Sequence, residues 1–294
     1  MNDFLEYLRL ERGLSANSIA AYSGDLREFY SSVGLTRPSD IRPGRIVDYL
    51  GRLTDQSRKP STIARKISSL KQYLAYLSDE GVVKGNPASI LSSPKIARYH
   101  PHYLSPLDIM QILDGIDVAT LIGLRDRAII ELLYGSGLRI SELVGLKQDC
   151  VEWEAGFVRI TGKGSKQRIV PLGGPARTAM TKYLESRLKP ASSAYANYVF
   201  LSRLGKGLSR VAAWKMVRKR VLAVGIAKSV SPHTFRHSFA THLLDGGADL
   251  RLVQEMLGHA DISTTEIYMT VDRDYLIAEH KKYHPRELAG AEDN

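Results

Sequence analysis

The sequence predicts a mainly α-helical chain of two domains, the second of which is mostly helical and carries a small antiparallel β-sheet. Apolar residues recur every three or four positions through most of the chain, whereas two short stretches alternate as strands do. Turn-forming residues without periodicity separate the first hundred residues from the rest. We therefore expect an all-helical amino-terminal domain over 1–94, a linker over 95–104 and a larger second domain over 105–294.

Three helices are expected in the first domain. One follows the capping residues Ser15 to Asn17 and carries apolar residues at 3-4-3 spacing from Ile19 to Phe29. A second is expected around Ile46 to Leu53. A third follows Pro60, and its apolar stripe from Ile63 to Leu77 would face a core.

The second domain is expected to begin with a helix, because Ser105 and Pro106 supply a cap and a first-turn residue. The chain then changes to two predicted strands, Phe157 to Ile160 and Gln167 to Leu172, on either side of a glycine–lysine turn. Helical patterns return after this hairpin.

The net charge of +10 is unevenly distributed along the chain. The first hundred residues carry +5, residues 101–244 carry +11 and residues 245–294 carry −6. A basic body suits a polyanion such as nucleic acid, because each Lys or Arg that reaches a phosphate releases condensed counterions. Charge alone leaves a basic protein without such a partner as an equal alternative.

The chain is expected to be cytoplasmic and to have no membrane partner. The single cysteine, Cys150, cannot form an intrachain disulfide, and the first residues lack the pattern of a signal peptide. Apolar stretches such as Ala128 to Tyr134 are far too short to cross a bilayer.

Several reaction classes are excluded by residue spacing. The turn at 162–166 is not a nucleotide-binding loop, because its glycines have the wrong spacing and no Ser or Thr follows Lys163. His237 and His242 lack the glutamate of a zinc protease, and no serine elbow is present. No metal site and no cofactor is therefore predicted.

Polar residues at predicted helix starts are the first candidates for a site. Arg139 follows a glycine turn, and Glu142 lies one helical turn later, where it can hold the guanidinium. Ser231 begins a helix whose period puts His233 and Arg236 on one side.

Two further candidates lie towards the end of the chain. Gly258 ends a helix and projects His259 beyond it. Ser263 opens a capping box, which leaves Tyr268 about a turn and a half inside a new helix. Singly, each candidate is more simply an ion pair, a cap or a half-buried tyrosine, and only their joint order points to function.

Taken in order, these residues resemble the pattern of the tyrosine site-specific recombinases of the phage integrase family over nearly the whole chain. The Xer type is the most similar, on the segments Gly13 to Ser18, Gly162 to Arg168 and Ala248 to Gln254, and on the ending His284-Pro285-Arg286. The resemblance implies a helical core-binding domain of SAM-like type and a catalytic domain that close around DNA as a clamp.

By this resemblance Tyr268 is the nucleophile that forms a 3′-phosphotyrosyl link with DNA. Arg139 and Arg236 would stabilise the charge of the transition state, because guanidiniums bind phosphate bidentately and without a metal. Glu142 matches the acidic neighbour of the first arginine.

Proton transfers fall to the remaining members of the set. His233 is the expected base for the tyrosine phenol, and Lys163 the general acid for the leaving 5′ oxygen. His259 would donate to a phosphate oxygen. The resemblance implies no cofactor, no ATP and no metal for strand exchange.

The resemblance also implies partners. Four protomers would hold two DNA duplexes at a dif-like site with inverted half-sites, with a XerC-type recombinase or a second copy completing the tetramer. An FtsK-type DNA translocase would be the activator, and chromosome dimers would be resolved before cell division. The segment from Leu276 to His284, within a docking segment of about 276–294, would pack on a neighbouring protomer, although the acidic tail leaves packing in cis equally open.

Basic residues near the third predicted helix are expected to contact DNA: Arg58, Lys59, Arg65, Lys66 and Lys71. On that helix, Arg65 and Ser69 fall on the face opposite the apolar stripe, which is either solvated or suited to a DNA groove. Replacing Lys66 or Lys71 is then expected to weaken binding to all sequences and to lower its salt dependence.

Three other interpretations stay open. A mobile-element integrase or resolvase would use the same chemistry at different sites, and a non-catalytic relative would only bind DNA. A type IB topoisomerase would share the nucleophile and relax supercoils without pairing two sites. Replacing Tyr268 by Phe separates an enzyme from a binding protein, because only an enzyme would lose covalent trapping.

Overall fold

A computed structural model describes residues 1–12, 14–55, 58–83, 87, 91, 103–161, 167–228, 230–258 and 273–289. The chain divides into two compact units, Met1–His100 and Pro101–Asn294, and each has an apolar core. The predicted fold class, mainly helical with a small antiparallel sheet, is confirmed. Residues 95–102 of the expected linker lie outside the described residues. Leu104, within the expected linker, is buried in the core of the second unit.

The described residues of the first unit form the helices α1 (Asn2–Leu10), α2 (Ala16–Ser32), α3 (Pro43–Asp55) and α4 (Pro60–Asp79). The three predicted helices are confirmed as α2, α3 and α4, and Ser15 caps α2 by accepting the backbone N–H of Ser18. Helix α1 has no counterpart in the sequence prediction, because Phe4 and Leu8 are too few buried positions to establish a period.

Charged groups lie inside the contact between α2 and α4. Asp25 on α2 is 4% exposed and accepts hydrogen bonds from Ser69 at 2.8 Å and from Lys66 at 3.2 Å. Lys66 also contacts Glu28 at 2.8 Å, and Arg65 pairs with Asp25. The expectation that Ser69 lies on an outer face is therefore wrong, because Ser69 is buried against α2. Lys66 is buried against the same helix, and its expected contact with DNA stays a prediction.

The described helices of the second unit are α5 (Pro106–Asp114), α6 (Leu121–Gly135), α7 (Ile140–Gly145), α8 (Gly174–Glu185), α9 (Arg210–Ala223), α10 (Pro232–Asp245), α11 (Leu250–Leu257), α12 (Arg273–Tyr283) and α13 (Pro285–Ala289). The predicted start of α5 is confirmed by a capping box between Ser105 and Asp108. None of the helices that the structure describes is both long and apolar enough to span a bilayer.

A three-stranded antiparallel sheet lies beside these helices, in the order β1 (Val151–Glu152), β2 (Phe157–Thr161) and β3 (Gln167–Pro171). The predicted hairpin is confirmed as β2 and β3, with Val158 opposite Val170. Strand β1 has only two residues, which is too short for alternation to be recognised in the sequence.

Helix α6 lies at the centre of the second unit. Every residue from Ala128 to Gly135 is buried, and the helix packs against α8 and α10. Its last residue leads directly into the turn at 136–138, so the buried end of α6 fixes the point at which Arg139 leaves the core.

Candidate active site

Arg139 leaves the core at a turn that requires glycine. Gly137 has a φ of +57°, and a Cβ atom there would lie 2.5 Å from Cδ1 of Phe239. The left-handed backbone and the packed ring both exclude a side chain at this position. Arg139 follows as the N-cap residue of α7, with 38% of its side chain exposed.

Glu142 holds Arg139 from one helical turn away, as the spacing indicated. Its Oε2 accepts the backbone N–H of Arg139 at 2.8 Å, and its Oε1 accepts the guanidinium at 3.0 Å. Arg168 binds the same carboxylate through two bonds of 2.8 Å. Burial by itself raises the pKa of Glu142, but the bonds and charges of the two arginines outweigh burial and hold that pKa below its ordinary value.

Arg236 lies on α10 with 8% of its surface exposed. Its guanidinium donates to the backbone carbonyls of Gly137 and Leu257. Burial, and then the positive charge of Arg139, lower the pKa of Arg236 to about 10, so it still carries its charge at neutral pH.

Three successive carbonyl groups at the end of α11 each accept a different arginine. The pairs are Arg168 Nε to Met256 at 3.0 Å, Arg236 to Leu257, and Arg139 to Gly258 at 3.3 Å. Carbonyls at the C-terminal end of a helix carry partial negative charge, which offsets the repulsion among three guanidiniums. We name Arg139, Arg168 and Arg236 the arginine cluster.

His233 occupies the first turn of α10, one helical turn before Arg236, and its side chain is exposed. The predicted start of this helix is confirmed, since Ser231 and Thr234 form a capping box and a proline opens the first turn. The structure thus joins Arg139, Glu142 and Arg236, and it places His233 on the helix of Arg236.

Three predicted site residues fall outside the described residues: Lys163, His259 and Tyr268. The structure describes the elements beside two of them. Strands β2 and β3 end on either side of the segment 162–166 that contains Lys163. Helix α11 ends at Gly258, as the sequence predicted, and Gly258 has a left-handed conformation.

Arg168 is a member of the cluster that sequence reasoning missed. It lies on β3 two residues before the fully buried Val170, so both side chains belong to the same face of the strand. A charged residue on the inner face of a strand needs a buried partner. That alternation was the signal that could have identified Arg168.

Helix α9 carries a basic surface that sequence reasoning also missed. Four of its basic side chains are exposed: Arg210, Lys215, Arg218 and Lys219. Among the described residues, none of the four forms an ion pair with a carboxylate. Arg218 lies over the half-exposed ring of Trp214, 5.5 Å from its centroid. The helical spacing of Lys215, Arg218 and Lys219 was the available signal. We name these four basic residues the α9 basic surface.

The helices α12 and α13 pack on their own chain. His280 is fully buried, and its Nε2 donates to the carbonyl of Gly135 at 2.7 Å. Arg286 binds Glu131 on α6 at 2.6 Å. The segment 276–284 therefore packs in cis in this single chain, and its packing on a neighbouring protomer stays a prediction.

The arginine cluster concentrates positive charge at one place in the helical fold, which suits the binding of an anionic group. The sequence matches the phage integrase family over residues 102–274, and it matches the N-terminal SAM-like domain of phage integrases over residues 1–81. The chain therefore belongs to the phage integrase family, whose tyrosine recombinases cut and rejoin DNA.

Curated relatives and solved structures agree with this membership. Tyrosine recombinase XerD of Listeria monocytogenes serotype 4b (strain F2365) is 44% identical over 97% of this chain and 98% of the relative. The Tn1549 transposon integrase in complex with transposon right end DNA has a TM-score of 0.72 at 18% identity, covering 99% of this chain and 97% of that one. The XerH site-specific recombinase bound to a palindromic difH substrate has a TM-score of 0.69 at 20% identity, covering 96% and 81%.

Proposed function

We propose that this chain is a site-specific tyrosine recombinase that acts at a dif-like chromosomal site and resolves chromosome dimers before cell division. The observation that carries the proposal is the 44% identity to a XerD relative over nearly the full length of both chains. Such a substrate places the protein in the cytoplasm.

The arginine cluster supports the proposed chemistry. Attack on a phosphodiester spreads negative charge over the nonbridging oxygens, and guanidiniums stabilise that charge through paired hydrogen bonds. Arg139 and Arg236 each use part of their donor set on fixed backbone carbonyls. Their orientation is therefore set before DNA binds, and we assign them to the nonbridging oxygens.

We assign the other predicted site residues to the transfer of the strand and its protons. The phenol oxygen of Tyr268 bonds to the scissile phosphorus as the bond to the 5′ oxygen breaks, and His233 accepts the phenol proton. Lys163 gives a proton to the leaving 5′ oxygen, and His259 donates to a phosphate oxygen. The 3′-phosphotyrosyl link keeps the energy of the diester, so a 5′ hydroxyl of another strand can reverse the step.

The α9 basic surface is the part of the second unit that we assign to the DNA backbone. Four exposed cations on one helix, without carboxylate partners among the described residues, are available to phosphates. On α4, by contrast, Lys66 is buried against two carboxylates, so that helix offers fewer cations than its sequence suggests.

The proposed partners are a double-stranded DNA site with inverted half-sites and a XerC-type recombinase, or a second copy of this chain, in a tetramer. An FtsK-type DNA translocase is the proposed activator. The similarity to XerD relatives supports these partners.

Covalent trapping tests the proposed function. The protein is incubated with nicked dif-like DNA in EDTA, and a denaturing gel is examined for a protein–DNA adduct. We expect an adduct with the wild type and with Tyr275→Phe, a control at a half-exposed tyrosine on α12, and none with Tyr268→Phe. The absence of an adduct for the wild type, both alone and with a XerC-type partner, would contradict the proposal.

A further inference from the structure

Arg168 uses its guanidinium on protein groups. Its Nε donates to the carbonyl of Met256, and its two terminal nitrogens donate to the two oxygens of Glu142. Only 11% of its side chain is exposed. Three bonds to two protein groups hold the guanidinium plane, and they leave Arg168 little capacity to bind a substrate.

Glu142 is shared evenly between two arginines. Each carboxylate oxygen accepts one hydrogen bond from Arg139 and one from Arg168. The fork of Arg168 therefore fixes the plane of the carboxylate, and the carboxylate fixes both the backbone and the guanidinium of Arg139. Arg168 therefore positions Arg139 indirectly, through Glu142.

The charge of Arg168 supports Arg139 in the same way as its hydrogen bonds do. One carboxylate shared by two guanidiniums leaves a net positive charge beside the position of the phosphate. Without Arg168, Glu142 would neutralise Arg139 alone, and the field on an incoming phosphate would weaken.

Arg168 also joins three separate elements. It lies on β3, and it contacts α7 through Glu142 and α11 through Met256. The neighbouring carbonyls of α11 accept Arg139 and Arg236.

We infer that Arg168 is a positioning residue for strand transfer, which orients Arg139 towards the scissile phosphate through Glu142 and the end of α11. This inference rests on the proposed function.

The test is single-turnover cleavage of nicked dif-like DNA, with the DNA dissociation constant measured separately. We expect Arg168→Gln to cleave about 10- to 100-fold more slowly, somewhat less than the loss of a direct transition-state donor. Affinity for DNA should stay within about threefold, because the guanidinium of Arg168 is bonded to Glu142 and Met256 and is largely buried. The matched control is Arg159→Gln on the adjacent strand, which contacts Glu152 and the carbonyl of Asp149 and should cleave at the wild-type rate.

Two further variants separate positioning from general structural support. Arg168→Lys keeps the charge but cannot span both oxygens of Glu142, so it should cleave faster than Arg168→Gln and still at least about threefold below wild type. In a double-mutant cycle, Arg168→Gln should add little to the loss caused by Glu142→Gln, because both changes act through Arg139. Arg159→Gln combined with Glu142→Gln should show independent effects.

Cleavage at the wild-type rate by folded Arg168→Gln or Arg168→Lys would overturn the inference. So would a loss that the measured affinity or the folded fraction explains entirely, with the folded fraction taken from thermal melting. If the wild type and Arg159→Gln also give no adduct, the proposed function itself has failed, which the control variant makes distinguishable.

Discussion

At the scale of single residues, Gly137 shows how backbone conformation places the side chain of a candidate site residue, Arg139. Its left-handed φ and its contact with Phe239 fix the turn from which Arg139 emerges. We expect Gly137→Ala to cost about 1–3 kcal/mol of unfolding free energy through strain at this φ, and to lower the rate of DNA cleavage further than stability alone explains.

Urea denaturation and single-turnover cleavage of the same preparations check this expectation. Gly145→Ala is the matched control, because Gly145 lies in α7 with an ordinary φ and nothing within 4 Å of an added Cβ. That change should be neutral or slightly stabilising. A Gly137→Ala protein as stable and active as wild type would show that the turn tolerates a side chain.

At the scale of elements, the contact between α2 and α4 is held by buried ion pairs. Removing one member of such a pair leaves the other charges buried and incompletely compensated. We expect Lys66→Ala to lower the unfolding free energy by about 3 kcal/mol, the low end for such changes, because Asp25 keeps Arg65 and Ser69.

The control for this prediction is Lys71→Ala on the same helix, at a half-buried position, which should change stability by less than about 0.5 kcal/mol. Chemical denaturation of the two variants makes the comparison. Equal stability of Lys66→Ala and wild type would mean that the buried pairs contribute nothing to the contact.

For the α9 basic surface, the predicted quantity is DNA affinity and its salt dependence, and not stability. Replacing Lys215 by Gln should weaken affinity for all DNA sequences and reduce the slope of log K against log salt by about 0.9. The slope is measured between about 50 and 200 mM salt, a range over which phosphate contacts change the affinity strongly. Arg177→Gln, at an exposed position on α8, should leave the slope unchanged, and a common shift in both variants would contradict the assignment.

At the scale of the whole molecule, we expect acid to destabilise the packing of the carboxyl-terminal helices. Complete burial, partly offset by the bond to Gly135, lowers the pKa of His280 to about 4, and burial also lowers the pKa of His284. Unfolding returns each histidine to an ordinary pKa near 6.5, so the unfolded chain binds more protons below that pH. The stability contributed by neutral His280 is therefore complete above about pH 6.5 and falls as the pH drops towards 4.

Between pH 7.5 and pH 5 this single group should account for about 2 kcal/mol of lost unfolding free energy. Urea denaturation at the two pH values measures the loss. His280→Gln should reduce the loss of unfolding free energy. His237→Gln, at a half-buried histidine on a different helix, α10, should retain it. Identical pH dependence in all three proteins would show that His280 is not responsible.

Sequence reasoning reached the local features of the molecule, because caps and alternation depend on neighbouring residues. The caps at Ser15, Ser105 and Ser231 and the hairpin of β2 and β3 follow from such patterns. Ser69 shows where this reasoning fails. A helical period cannot distinguish a solvated face from one covered by another helix, and only the tertiary contact with Asp25 decides between them.

The arginine cluster shows the same limit within the site. The spacing of Arg139 and Glu142 is local, and it was predictable. The bond from Arg168 to Glu142 joins positions 26 residues apart, and the bond to Met256 spans 88 residues. No periodic pattern in the sequence indicates contacts between residues so far apart. The candidate residues therefore came from the resemblance, and the bonds that hold them came from the structure.

The end of α11 gives these contacts a consequence for catalysis. An enzyme that gathers like charges only when its substrate arrives must spend part of its binding energy on reorganisation. Here three helix carbonyls and one carboxylate hold the guanidiniums together in the free protein. In the proposed mechanism, the electrostatic environment of the transition state would thus be largely preorganised during folding, and the energy of DNA binding would remain available for aligning the two strands that are to be exchanged.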